Sequence, residues 1–120
     1  MFQGNVYATP PTIEFGKLLL LQWLGYQEIE ESMGLFSTME GLYTRDQVEQ
    51  CVANITPVSF NQTVDLPPGL SFSAVSSGYC IGGCNWLLQS QVEKIAIVTS
   101  SAASMNRHPE EIDIAALMVG

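Results

Sequence analysis

The chain is poor in charge, poorer still in positive charge, and holds a single histidine. Only 13% of its 120 residues are charged, and four basic ones, Lys17, Arg45, Lys94 and Arg107, are scattered among 12 acidic residues for a net charge of -8. A nucleic-acid surface needs clustered lysine and arginine to meet phosphates, so no direct RNA or DNA contact is expected. With His108 as the one imidazole, this chain cannot by itself supply a metal centre built from several histidines. Three cysteines, Cys51, Cys80 and Cys84, make no paired framework, which suits a reducing compartment. Cys80 and Cys84 are two thiols where structural zinc takes four ligands, so free thiols are expected there. No apolar run reaches the roughly 17 residues of a membrane helix. The most apolar segment, Leu18 to Leu24, is short and interrupted by Gln22. Met1-Phe2-Gln3-Gly4-Asn5 lacks the basic start and apolar run of a secretory leader, which favours the cytosol or nucleus and leaves the acceptor patterns at Asn54 and Asn61 without meaning.

Apolar residues, by contrast, are plentiful, at 47% of the sequence. For a small domain that must cover its own core this is high, and it implies surface meant for a partner. Asn5 to Thr9 reads as a short strand, and Pro10-Pro11 stops the ladder and suits a helix start, with Thr9 or Thr12 as its cap. From Ile13 apolar residues recur at helical spacing and then spread to nearly all faces over Leu18 to Leu24, predicting a helix buried on more than one side. Gln27 to Gly41 reads as a ragged helix end and loop. Thr44-Arg45-Asp46-Gln47 matches a capping box, and Val48, Cys51, Val52 and Ile55 form one apolar stripe of the helix it opens, a helix expected to cover a sheet.

Four strands are expected after that helix. Val58, Phe60, Gln62, Val64 and Leu66 alternate with polar residues as one half-buried strand. Pro67-Pro68-Gly69 turns the chain, and Leu70, Phe72 and Ala74 repeat the alternation. Asn85 to Gln89 and Lys94 to Thr99 make a further pair joined by Ser90 to Glu93. Ser100 to Arg107 reads as a loop over the same edge as the glycine loop that precedes Asn85, and Ile114 to Val119 as a last strand or helix.

That glycine loop, Ser76-Ser77-Gly78-Tyr79-Cys80-Ile81-Gly82-Gly83-Cys84-Asn85-Trp86, carries the most information. Three glycines in six residues let backbone approach a site closely and reach positive φ. The frame resembles the Gly-His-x-x-Gly-Ser/Ala motif of metallo-β-lactamase-fold RNA-processing proteins of the β-CASP branch. Gly78 and Gly82 stand in register, Gly83 takes the last position, and Tyr79 replaces the histidine. Phe2 to Thr9 resembles the strand and helix entry after that family's first metal motif, and Tyr43 to Val48 resembles its middle helix. The resemblance covers nearly the whole chain and implies an α/β (α+β) fold. It implies that residues 1–120 are the rear part of a metallo-β-lactamase-like αββα domain, truncated at both ends, with a mainly antiparallel or mixed sheet and covering helices.

Active members of that family, as the resemblance implies, hold two zinc ions through a His-x-His-x-Asp-His cluster, the loop histidine and a bridging aspartate. The first cluster has no counterpart here, Tyr79 stands at the loop position, and Ser100 follows Ile97-Val98-Thr99 where the bridging aspartate would be. Tyrosine, with an ordinary pKa of about 10, and serine are poor substitutes for the imidazole and carboxylate that lower a zinc-bound water to about 7. The resemblance therefore implies a non-catalytic member without cofactor. In it, Tyr79 and its small neighbours would fill the vacated metal pocket, and the protein would serve as a scaffold paired with a catalytic homologue. The alternative is a metal-dependent hydrolase or RNA endonuclease whose ligands come from elsewhere and from His108.

Overall fold

The computed structural model describes residues 4–33, 43–104 and 110–118. They form two compact units. One takes the residues up to Ala8 together with Ile13–Thr56, and the other takes Thr9–Thr12 and the described residues from Pro57 on.

In the first unit β1 (Val6–Ala8) and β2 (Ile55–Pro57, its last residue in the other unit) form a two-stranded sheet. Helix α1 (Pro10–Ser32) opens on its two prolines, whose fixed φ suits a first turn that needs no N–H donors. It continues through Gln27 to Ser32, beyond the expected ragged end, because those residues include no proline or glycine and Gln and Glu are good helix formers. The rest of the expected loop, 34–42, lies outside the described residues. Burial on several sides is not what α1 shows. Leu24 is buried, whereas Phe15, Leu18, Leu19, Trp23, Tyr26 and Ile29 are each more than half exposed along the opposite face. Helix α2 (Arg45–Ala53) has the expected capping box, with Gln47 N–H donating to Thr44 Oγ1 (3.3 Å) and Thr44 N–H to Gln47 Oε1 (2.9 Å). Its apolar stripe is shorter than predicted. Val48 is buried and Val52 half-buried, but Cys51 is exposed and Ile55 already belongs to β2, because Asn54 closes the helix by donating to the Gln50 and Cys51 carbonyls.

The second unit is an antiparallel meander in the order β3 (Thr63–Leu66), β4 (Leu70–Ser76), β5 (Cys84–Gln89), β6 (Lys94–Ile97), followed by α3 (Ile114–Met118). The strand expected from Val58 to Leu66 is broken. Asn61 adopts a left-handed φ of 61°, the Gln62 N–H donates to the Ser59 carbonyl, and Gln62 Oε1 accepts from the Ser59 N–H. The break lets Asn61 donate to the Ala74 carbonyl (2.7 Å) and leaves Val58 fully buried. Asparagine tolerates that backbone region better than most residues. Pro67-Pro68-Gly69 makes the expected turn, with a cis Pro67-Pro68 bond and Gly69 at φ 74°.

Both faces of the β4–β5 pair carry core. Phe72 and Ala74 lie opposite Leu88 and Trp86 on one face, while Val75 and Leu87 share the other with Asn85. Phe72 and Trp86 meet edge to face with ring centroids 5.5 Å apart. Lys94 reaches α3, donating to the Ala116 carbonyl (3.1 Å), and Asp113 Oδ1 accepts the Ala116 N–H (2.8 Å) at the start of that helix.

Candidate functional site

Strands β4 and β5 end in register at Ser76 and Cys84, so the glycine loop sits at the end of the sheet's central hairpin. Its neck is closed by the Ser77 N–H donating to the Gly83 carbonyl (3.0 Å), and inside it the Gly83 N–H donates to the Cys80 carbonyl (2.9 Å). Two glycines here are demanded by the fold. Gly78 has φ 69°, and a Cβ on it would strike the Ala102 carbonyl and come within 2.7 Å of the Ile112 nitrogen. Gly82 has φ 80°, and a Cβ there would lie 2.8 Å from Pro11 Cβ. Its carbonyl accepts from Thr9 Oγ1 (2.6 Å), so the Thr9 hydroxyl grips the loop rather than acting only at the helix start. Gly83 has no special φ but a side chain would crowd Ser77 Oγ at 2.8 Å.

The segment after β6 lies along the base of this loop, as its sequence position suggests. The Ala102 N–H donates to the Ser77 carbonyl (2.8 Å), the Ile112 N–H to the Ala102 carbonyl (3.1 Å), and Ser76 Oγ to the Glu110 carbonyl (2.7 Å). Thus the structure brings the segments bearing Tyr79 and Ser100 together. It does not make a pocket plug of Tyr79, whose side chain is 57% exposed, like that of Ile81 at 58%. Ser100 is exposed as well. The side chains buried at the base of the loop are instead small and polar, Ser76, Ser77 and Asn85.

Asn85 is the residue that the sequence reading passed over. It is fully buried, and its Oδ1 accepts the Thr99 N–H (2.8 Å) while its Nδ2 donates to Ser101 Oγ (3.1 Å). The signal was available: an amide at an inward position of an apolar strand, two residues before Leu87, needs partners that only another segment can bring. Among the described residues no buried side-chain nitrogen or oxygen is left without one.

A dinuclear zinc centre does not fit the donor set of the described residues. Among the described residues no three His, Cys, Asp or Glu side chains gather where they could hold a metal ion. Cys80 is exposed and Cys84 half-buried, and burial pushes the Cys84 thiol up, away from the thiolate a metal would need. His108 lies outside the described residues. Among those residues no helix is long and apolar enough to cross a membrane.

The glycine loop sits at the end of a sheet hairpin in an α+β setting, and residues 1–117 match the metallo-beta-lactamase superfamily domain. The chain belongs to that superfamily. Within it, the chain is 31% identical over 90% of its length to an Integrator complex subunit 9 homolog of Nematostella vectensis. It is 30% identical over 97% of its length to Integrator complex subunit 9 of Homo sapiens. More distantly, it is 20% identical over 94% of its length to Endoribonuclease YSH1 of Kluyveromyces lactis, of which it covers 15%. The chain spans only 20% and 21% of the length of the two Integrator proteins.

Proposed function

We propose that these residues belong to a non-catalytic scaffold subunit of the Integrator complex. As the resemblance implies, it would pair with the catalytic Integrator subunit 11 and other Integrator subunits in 3′-end processing of small nuclear RNAs and in attenuation of RNA polymerase II transcripts. It would act in the nucleus and also occur in the cytoplasm. The observation that carries this reading is the pair of side chains at the two ligand positions of the frame. Tyr79 and Ser100 are both exposed, and neither offers the imidazole or carboxylate that zinc hydrolysis requires. A net charge of -8 supports contact with RNA through protein partners rather than directly. The exposed apolar face of α1 supports residues 1–120 being the rear part of a larger metallo-β-lactamase-like domain, since so much apolar surface is unusual on a free-standing domain.

The test is elemental analysis for zinc on the full-length protein, natural and with Tyr79→His and Ser100→Asp together. The natural form is expected to carry no stoichiometric zinc; two zinc ions per chain in it would overturn the reading. A metal-dependent RNA endonuclease is the second reading, favoured by the similarity to the yeast endoribonuclease. It requires RNA cleavage that His108→Ala abolishes, whereas a scaffold shows no catalytic effect of that change.

A further inference from the structure

We infer that the Asn85 side-chain amide is the cross-link that holds the glycine loop and the segment after β6 together without metal. This rests on the reading that no zinc is bound here, and goes beyond it by naming what replaces the metal as the tie between the two segments. In a metal-held site, ligands on separate loops are pinned to one ion. Here the ligand positions, Tyr79 and Ser100, have exposed side chains and pin nothing into the interior. One residue on the loop side does so instead, bonded to two on the other. Asn85, at the foot of the loop, is buried completely and bonds Thr99 and Ser101, which flank Ser100 on both sides.

The tie is reinforced at each step outward. The Thr99 hydroxyl donates to the Cys84 carbonyl (3.0 Å) and lies 3.2 Å from Asn85 Oδ1. The Ser101 hydroxyl, accepting from Asn85 Nδ2, donates to the Thr99 carbonyl (3.0 Å) and so locks the bend at Ser100. The fixed bend presents Ala102, whose N–H bonds Ser77 and whose carbonyl lies against Gly78. Gly78 in turn starts the exposed crest of the loop, Tyr79 to Ile81. An amide suits this position because it accepts and donates at once; a carboxylate would bring an unpaired buried charge, and an apolar residue would leave the Thr99 N–H without its partner and the Ser101 hydroxyl with the Thr99 carbonyl alone. The crest is thereby ordered by hydrogen bonds that depend on neither metal nor thiol.

Hydrogen exchange on the full-length protein tests this, with Asn85→Leu and the milder Ser101→Ala. In Asn85→Leu the Thr99 and Ala102 amides are expected to exchange about tenfold faster or more, while the β4–β5 ladder amides hold within about twofold, the mark of local opening. Unchanged exchange at Thr99 and Ala102, or equal acceleration of the whole ladder, overturns the inference. Should Asn85→Leu fail to fold, Ser101→Ala is expected to speed the same two amides about threefold, from the loss of the Ser101 hydroxyl's bonds to Asn85 and Thr99, with the same two overturning results. Chelation of the natural protein with EDTA separates this inference from the reading beneath it. Faster Thr99 exchange in EDTA overturns both, whereas EDTA-insensitive exchange that Asn85→Leu leaves unaltered overturns the amide cross-link alone.

Discussion

Strands β4 and β5 and the loop that joins them are one hairpin held in two different ways. Along the strands, order comes from apolar burial: Phe72, Ala74, Val75 and Leu87 are buried, and the Phe72–Trp86 contact adds a directional preference. In the loop almost nothing apolar is buried. Its order comes from left-handed glycines, buried hydroxyls and an amide, with Gly82, Ser76, Ser77 and Asn85 each bonded to a segment distant in sequence. Burial is tolerant of chemistry but sensitive to volume, while the loop is sensitive to single atoms. On the proposed non-catalytic reading, this division is what would let the loop carry tyrosine and serine at its ligand positions, since other bonds fix its shape.

The strongest way to break the comparison is to empty the strand side. Phe72→Ala removes a ring that is 7% exposed and its edge contact, and is expected to cost about 3–5 kcal/mol in urea unfolding of the full-length protein. Trp86 is only half-buried, so its truncation belongs below that range. The loop side is probed by Gly78→Ala, which combines a positive φ with three backbone atoms, of Ala102, Glu111 and Ile112, closer than 3 Å to the new Cβ. The expected cost is about 2–3 kcal/mol, because the Ala102 and Ile112 backbones must move. Its distinguishing mark is that the Ala102–Ser77 bond opens while the β4–β5 ladder persists. A Gly78→Ala protein with natural stability and natural exchange at Ala102 would mean the loop is not held as described.

The same contrast explains what the sequence could show. Alternation in Leu70 to Ala74 and Asn85 to Gln89, the Pro67-Pro68-Gly69 turn and the glycine frame all act over a few residues, and each lies where expected. The break at Asn61 was hidden because its reward, a bond to the Ala74 carbonyl, comes from a segment thirteen residues on and leaves the alternating pattern of Val58 to Leu66 untouched. Tyr79 was expected to point inward from the family frame alone. Its exposure arises where the base of the loop is tied by the bonds of Ser76 and Asn85 to distant segments, which no local pattern encodes.

Thr44→Ala gives the smallest effect and sharpens the contrast from the other end. The Thr44 hydroxyl and the Gln47 side chain satisfy two backbone donors at the start of α2, and both partners lie within four residues of sequence. Losing the hydroxyl leaves the Gln47 N–H to water, since Thr44 is exposed, so the cost is expected to be about 1 kcal/mol. Measured by urea unfolding and by exchange, the loss should appear at the first turn of α2 and leave Thr99 and Ala102 unmoved. Thr44→Ser, which keeps the oxygen, should recover most of the loss. If instead Thr44→Ala costs as much as Gly78→Ala, short-range capping would be as consequential here as the long-range bonds of the loop, and the distinction between a locally written helix start and a tertiary-held site would fail.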